Sequence, residues 1–249
     1  MKDLKDNVVV ITGGNSGIGL ATTELFKGKG AKVITNARSE QRKAETLEQH
    51  GDLFDDVFVA DVSQVAQLEA FFNQVGEKYK GIDVLFLNAG IALFAPIEAS
   101  EESFFDQQFN VNVKGVYFGL QKALPYLAEG SSVVANTSIV NQMAMANGSV
   151  YAATKAAVKS LVQTTAGELK DRKIRVNAVS PGPIETPIFG KMGMPEDQIN
   201  EMAQGILSQV AVGRFGSPAE IADGVLFLTQ NEFITGTEVV IDGGMSQLR

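Results

Sequence analysis

Tyr151 and Lys155 stand four residues apart in Tyr-Ala-Ala-Thr-Lys, so on a helix they share one face about one turn apart. A protonated lysine beside a tyrosine stabilises the phenolate and lowers the phenol's pKa. Such a pair gives or takes a proton nearer neutral pH than tyrosine alone. A second stretch with chemical content is Thr12-Gly13-Gly14-Asn15-Ser16-Gly17-Ile18-Gly19. Its glycines let the backbone turn sharply and approach a pyrophosphate, whose charge is favoured by the exposed N–H groups of a helix start. Either signal alone is weak, because Tyr-x-x-x-Lys recurs by chance and glycine clusters are ordinary turn chemistry. Their weight depends on the elements that carry them.

Those elements follow a regular rhythm. Val8-Val9-Val10-Ile11 reads as a strand, the glycine turn follows it, and Gly17 to Gly28 reads as a helix. Lys32-Val33-Ile34-Thr35 is the next strand and Glu40 to His50 a polar helix. Asp56 to Ala60 and Val84 to Leu87 bracket a helix from about Gln64 to Tyr79. Ser132 to Asn136 and Ile174 to Val179 bracket another, from Ser149 to Lys170, and Glu238-Val239-Val240-Ile241 is the last strand. Continuous apolar strands alternating with helices indicate a parallel sheet covered on both faces, a doubly wound α/β domain. At 249 residues the expectation is a single domain over residues 1–249,. The rhythm breaks between Ser180 and Val212, a stretch with four prolines and three methionines. Insertions of that size are usually binding loops, so a small substrate lid is expected at about residues 183–212.

Composition removes other chemistries. With no cysteine there are no disulfides, thiolate metal sites or cysteine nucleophiles, and the single His50 cannot assemble a histidine triad or a multi-histidine metal site,. No metal site is expected. A net charge of -8 argues against broad nucleic-acid binding,. No apolar run approaches the roughly 20 residues of a membrane span, and Met1 to Asp6 carry no signal-peptide core,. The expectation is a cytoplasmic protein with neither nucleic-acid nor membrane partners.

The glycine spacing, Gly-x-x-x-Gly-x-Gly, resembles the cofactor motif of the short-chain dehydrogenase/reductase family, Thr-Gly-x-x-x-Gly-Ile-Gly, at every defined position. The resemblance extends along essentially the whole chain and implies a Rossmann-type fold. It implies a catalytic set of Asn112, Ser138, Tyr151 and Lys155, since Ser138 lies thirteen residues before Tyr151 and Gly115 follows Asn112 at the family spacing. Asn110 is the competitor for the asparagine role, which in the family holds a water near the lysine. For the cofactor the resemblance implies Gly13, Asn15, Ser16, Gly17, Ile18 and Gly19 in the turn, and Asp61-Val62 at the adenine. It also implies Asn88-Ala89-Gly90 against the cofactor, with Leu87 departing from the family's Asn-Asn-Ala-Gly. Pro181, Gly182, Ile184 and Thr186 resemble the segment that meets the nicotinamide carboxamide, and Tyr151 and Lys155 serve the cofactor as well as the chemistry.

The second strand ends Thr35-Asn36-Ala37-Arg38, with no carboxylate to take a ribose 2′-hydroxyl and a guanidinium suited to a 2′-phosphate,. Ala37 and Arg38 therefore favour NADP(H), with NAD(H) the alternative. The implied reaction is hydride transfer between NADP(H) and a carbonyl or secondary alcohol. Leu93, Phe94, Val140, Met145, Phe189, Met192 and Met194 are the candidate pocket residues, and their apolar character suits a hydrophobic ketone or aldehyde,. A 3-oxoacyl-[acyl-carrier-protein] reductase is the alternative, with Arg172 and Lys173 the nearest basic residues to dock an acidic carrier. A non-catalytic NADP-binding protein is the remaining one. The segments Asn112–Ala128 and Ser149–Lys170 resemble the helices through which family members form tetramers, so a homotetramer is expected.

Overall fold

The computed structural model describes residues 4–185 and 203–248. Among these, Val8–Ile11 (β1), Lys32–Ala37 (β2), Asp56–Val59 (β3), Ile82–Leu87 (β4), Leu127–Asn136 (β5), Arg175–Pro181 (β6) and Glu238–Ile241 (β7) form one sheet in the order β3-β2-β1-β4-β5-β6-β7. Every pairing is parallel. Strand residues alternate between two apolar layers. Val8 and Val10, Leu85 and Leu87, Val133 and Ala135 face one layer, while Val9 and Ile11, Val84 and Phe86, and Val134 face the other. Both faces are buried, which is why these strands read as unbroken apolar runs.

Two helical layers cover them. Val65–Tyr79 (α3), Gly115–Ala123 (α5) and Ser149–Glu168 (α6) pack Leu68, Phe71, Leu120, Val158 and Val162 on the first face. Gly17–Gly28 (α1) and Pro218–Gln230 (α7) pack Phe26, Ile221, Val225 and Leu228 on the second. Glu40–His50 (α2) joins β2 to β3, and Glu102–Phe109 (α4) precedes α5. Strand order reverses between β1 and β4, so a crevice opens at the carboxyl ends of those strands, where ligands bind in doubly wound sheets. The doubly wound α/β reading holds.

Several boundaries differ from the sequence expectation: β2 runs on to Ala37, β3 ends at Val59, β4 begins at Ile82, β6 spans Arg175–Pro181, and the larger differences are in the helices and β5. The helical stretch expected over Asn112–Ala128 begins earlier and is not uniform: α4 runs into a π-type turn at Asn110–Lys114, then α5, then a 3₁₀ turn at Leu124–Tyr126. Pro125 lacks the N–H needed to continue an α-helix, and β5 starts at Leu127 rather than Ser132. A register shift between Ile82 and Val84 marks where this early part of β5 joins β4. Helix α6 stops at Glu168, followed by a 3₁₀ turn at Lys170–Arg172. At the start of the long insertion, Ile184 bridges Gly216, with Glu185 N–H on Gly216 O (2.9 Å) and Gly216 N–H on Pro183 O (3.0 Å). Of the residues expected to act there, Thr186, Phe189, Met192 and Met194 lie outside the described residues.

Candidate active site

The glycine turn sits between β1 and α1, at the crevice. Gly13 and Gly17 have φ of +66° and +51°, a region L side chains rarely adopt. A Cβ on Gly19 would lie 2.1 Å from Gly13 O and 2.7 Å from Asn88 Nδ2, so turn, helix and the end of β4 pack without room for a methyl group. Asn36 Oδ1 accepts from Gly13 N–H (3.2 Å) and Thr35 Oγ1 from Gly14 N–H (2.9 Å). Asn88 donates to Thr12 O (3.1 Å) and Gly13 O (3.2 Å) and accepts from Asn136 Nδ2 (3.0 Å). Thr12 Oγ1 in turn accepts from the backbone N–H groups of Asn88 (3.0 Å) and Ala89 (3.1 Å). Asn88 therefore shapes the cradle with its side chain, and Asn15 ties it to α2 through Thr46 (2.8 Å).

The mouth of the cradle is built for an anion. Ser16, the N-cap of α1, makes no side-chain capping bond, and the first turn carries no acid. The leading amides and the Ser16 hydroxyl are thus available to a phosphate, whose charge the helix end favours. A pyrophosphate fits this donor set, and Ile18 lies half-buried beside it. At the tip of β2, Ala37 is buried, and Arg38 is exposed with no ion pair among the described residues. Asp61 Oδ1 accepts from Ser63 N–H (2.8 Å) in a local turn, and the N-cap residue of α3, Gln64, makes no side-chain capping bond. Val62 is buried against Gly115, whose missing Cβ would lie 3.1 Å from Val62 O.

The proton-transfer residues meet across β5 and α6. Ser138 ends β5's extension and caps a 3₁₀ turn, Ile139–Asn141, with Val140 N–H 3.5 Å from its Oγ. Its hydroxyl is close enough to the Tyr151 phenol to favour the ionised form of that group. Lys155 is 5 % exposed, donates to Asn136 O (2.8 Å) and lies 5.8 Å from the Tyr151 ring centroid. Here the expectation of a lowered tyrosine pKa is corrected. Desolvation pushes Tyr151 up to about 12, opposed by the nearby Ser138 hydroxyl, and burial pushes Lys155 down to about 8. The two groups are close as the spacing requires, and removal from water moves each toward its neutral form,. The phenol consequently keeps its proton at neutral pH, as a donor must.

Asn112 is fully buried in the π-type turn. Its Oδ1 accepts from Ile91 N–H (2.9 Å), while Nδ2 donates to Ile91 O (2.8 Å) and Thr154 Oγ1 (3.1 Å). Both amide hydrogens are therefore engaged with protein, tying the chain after Gly90 to the helix of Lys155, and they are not available for the water expected there. Among the described residues the side chain of its competitor Asn110 bonds only Lys114, at 3.5 Å. Gly90 faces both groups: a Cβ there would lie 3.3 Å from Asn112 Oδ1 and 3.6 Å from Lys155 Nζ.

Among the pocket candidates, Phe94 packs its ring edge-to-face on Tyr151, centroids 5.8 Å apart. Gln108 Oε1 holds Leu93 N–H (3.1 Å), and Ala95 N–H bonds Asn147 O (2.9 Å), which fastens this loop to the one containing Met145. Val140 is half-buried in the turn after Ser138 and Met145 is exposed. Pro181 ends β6 and Gly182 follows it, where a Cβ on Gly182 would meet Asp242 Cα at 2.6 Å, and Ile184 is buried. Sequence reasoning placed Thr12 in the cofactor motif without a role of its own and missed Thr35, Asn36 and Asn136. The available signal was polar residues terminating otherwise apolar strands.

A family model described as enoyl-(acyl carrier protein) reductase matches residues 13–246. The 3-oxoacyl-[acyl-carrier-protein] reductase of Thermotoga maritima is 39 % identical over 248 residues, covering 97 % of this chain and 98 % of that protein. The levodione reductase of Leifsonia aquatica is 37 % identical, with 97 % and 94 % covered. The chain belongs to the short-chain dehydrogenase/reductase family. A crystal structure of levodione reductase superposes with a TM-score of 0.89 at 34 % identity, covering 99 % of this chain and all of that one. The 3-ketoacyl-(acyl-carrier-protein) reductase of Brucella melitensis, solved with NADH, gives 0.86 at 29 % identity, with 98 % and 99 % covered. As a short-chain dehydrogenase/reductase, the protein is an oxidoreductase that interconverts C=O and CH–OH with a nicotinamide dinucleotide. Among the described residues, no helix is long and apolar enough to cross a membrane.

Proposed function

We propose that this enzyme is an NADPH-preferring reductase of hydrophobic ketones or aldehydes, reversible to oxidation of the alcohols. The observation that carries the reading is the Ser138–Tyr151–Lys155 cluster, set beside the glycine cradle and walled by Phe94. NAD(P)H, when bound, supplies the hydride for the carbonyl carbon. The α1 amides hold its pyrophosphate, Arg38 takes the 2′-phosphate, Asp61 accepts from the adenine amino group, and Pro181, Gly182 and Ile184 flank the nicotinamide. Lys155 has donors left beyond Asn136 O and binds the nicotinamide ribose. Tyr151 gives its proton to the carbonyl oxygen and recovers one from solvent. Ser138 stabilises the charge that develops on that oxygen. Asn112 holds the Ile91 backbone so that this geometry persists, and residues 183–212 form the substrate lid.

The test is initial-rate oxidation of NADPH, and separately NADH, against a panel of aryl ketones. Turnover faster with NADPH and abolished by Tyr151→Phe supports every part. Faster turnover with NADH refutes the role of Arg38, and unchanged turnover in Tyr151→Phe refutes the proton donor. A 3-oxoacyl-carrier substrate is the second reading, favoured by the likeness to the Thermotoga maritima enzyme. Against it, Arg172 donates to Leu124 O (2.7 Å) and Leu127 O (3.0 Å), and Lys173 pairs with Glu129 (2.5 Å). Both precede β6, at the opposite end of the sheet from Ser138. Reduction of a 3-oxoacyl thioester in preference to free ketones would establish the second reading. A homotetramer fits the exposed Phe105, stacked on the half-buried Phe109, and the exposed Tyr117 on α4 and α5, and a sedimentation mass of one subunit would refute it.

A further inference from the structure

Glu238, the first residue of β7, is far from Ser138 in sequence, yet its side chain is only 7 % exposed and sits against the turn that carries Ser138. Its Oε1 lies 2.6 Å from Thr137 Oγ1 and 2.6 Å from Asn141 Nδ2, and its Oε2 lies 2.7 Å from Lys159 Nζ. Thr137 immediately precedes Ser138, and Asn141 closes the 3₁₀ turn that Ser138 caps. One carboxylate oxygen therefore ties both ends of the five-residue segment Thr137–Asn141. The hydroxyl of Thr137 has one hydrogen to give, and two acceptors are near: Glu238 Oε1 and Val179 O (2.8 Å). Val179 O already receives the backbone N–H of Thr137 (2.9 Å), and an ionised carboxylate is the stronger acceptor. The hydroxyl proton goes to Glu238. Lys159, one helical turn beyond Lys155, is partly exposed and balances the charge from outside.

We infer that Glu238 is a positioning residue, whose carboxylate staples the Thr137–Asn141 turn and so fixes the direction of the Ser138 hydroxyl toward Tyr151. The inference rests on the proposed role of Ser138. Neither backbone torsions within the turn nor Ser138's own bond to Val140 N–H, at 3.5 Å, hold that hydroxyl as firmly as two short bonds to a buried carboxylate. Small misplacements of a group that acts on the transition state cost about a hundredfold in rate.

The experiment compares Glu238→Ala, Glu238→Gln and Lys159→Met, each alone and the first also in a Ser138→Ala background. Glu238→Ala removes the staple, and kcat should fall about tenfold to a hundredfold while the dissociation constant of NADPH changes less than about twofold. Glu238→Gln keeps a carbonyl oxygen for Thr137 and Asn141, and loses no more than about threefold. Lys159→Met, which leaves the staple intact, stays within the same range. In Ser138→Ala, adding Glu238→Ala should cost almost nothing further, because the group being positioned is gone. Full additivity of the two substitutions, or equal losses in the alanine and glutamine variants, overturns the inference. Hydrogen exchange supplies a readout independent of turnover: Glu238→Ala should expose the amides of residues 139–142, and unchanged protection there also overturns it. If Ser138→Ala retains full activity while protection is lost in Glu238→Ala, the staple stands and the catalytic role of Ser138 fails.

Discussion

Lys155 is a charged group largely withdrawn from water, and that should make it a measurable burden on the fold. Its side chain is 5 % exposed, its one protein hydrogen bond goes to Asn136 O, and burial lowers its pKa from the ordinary 10.5 to about 8. At pH 7 the lysine is protonated in both folded and unfolded chains, so the cost of burying the charge is fully present, about 3 kcal/mol. As pH rises from 8 to 10.5 the folded lysine loses its proton first, the unfolded chain binds more protons, and stability rises. Between pH 8 and 10 the gain is about 2 kcal/mol. Tyr151 acts in the other direction only above pH 10, because its folded pKa of about 12 exceeds the ordinary 10. Lys155→Met keeps most of the stem and removes the charge, giving up one hydrogen bond worth about 1 kcal/mol. The variant should therefore be about 2 kcal/mol more stable than the parent at pH 7, or about 4–8 °C in Tm for a chain of this size, while losing turnover. Urea unfolding of both proteins without nucleotide, at pH 7, 8, 9 and 10, measures the difference directly. A gap that closes toward pH 10 supports the reasoning. A less stable variant at pH 7, or a gap that stays constant with pH, refutes it.

Other expectations follow from the same geometry. Gly19→Ala places a methyl group against Gly13 O and Asn88, and overpacking of about 1–3 kcal/mol should weaken NADPH binding roughly tenfold to a hundredfold in a fluorescence titration. Arg38→Gln removes a charge-assisted phosphate contact worth about 1.5–3 kcal/mol, so KM for NADPH should rise roughly tenfold or more with KM for NADH unchanged; equal changes for both would show that Arg38 does not read the phosphate. Asn112→Leu strands the Ile91 N–H and C=O that the amide now satisfies, and should cost about 2–4 kcal/mol in chemical denaturation; a variant of parental stability would show that water replaces the amide without loss.

The sheet and the glycine turn were legible because their causes are local or periodic. Val8–Ile11 and Glu238–Ile241 were read with their observed ends, as was α1, since a strand buried on both faces must be continuously apolar and a glycine turn must precede an uncapped helix,. Tyr151 and Lys155 were legible as a pair because helical spacing alone puts them on one face. Their protonation was not, because desolvation depends on everything packed around them, and it reversed the expected direction for Tyr151. The inner structure of the 102–126 helical stretch was also hidden. A π-type turn at Asn112 is stabilised by Ile91 and Thr154, which are 21 and 42 residues away. Sequence by itself thus determined which residues are available at the crevice and in what order the strands bring them there. Only the tertiary structure decided that Asn88 and Asn36 brace the cradle, and that Glu238, about a hundred residues from Thr137, closes the turn of Ser138. Those bonds join residues on or just beyond different strands that the sheet brings together although they are distant in the chain, and no local pattern of residues encodes such a partner.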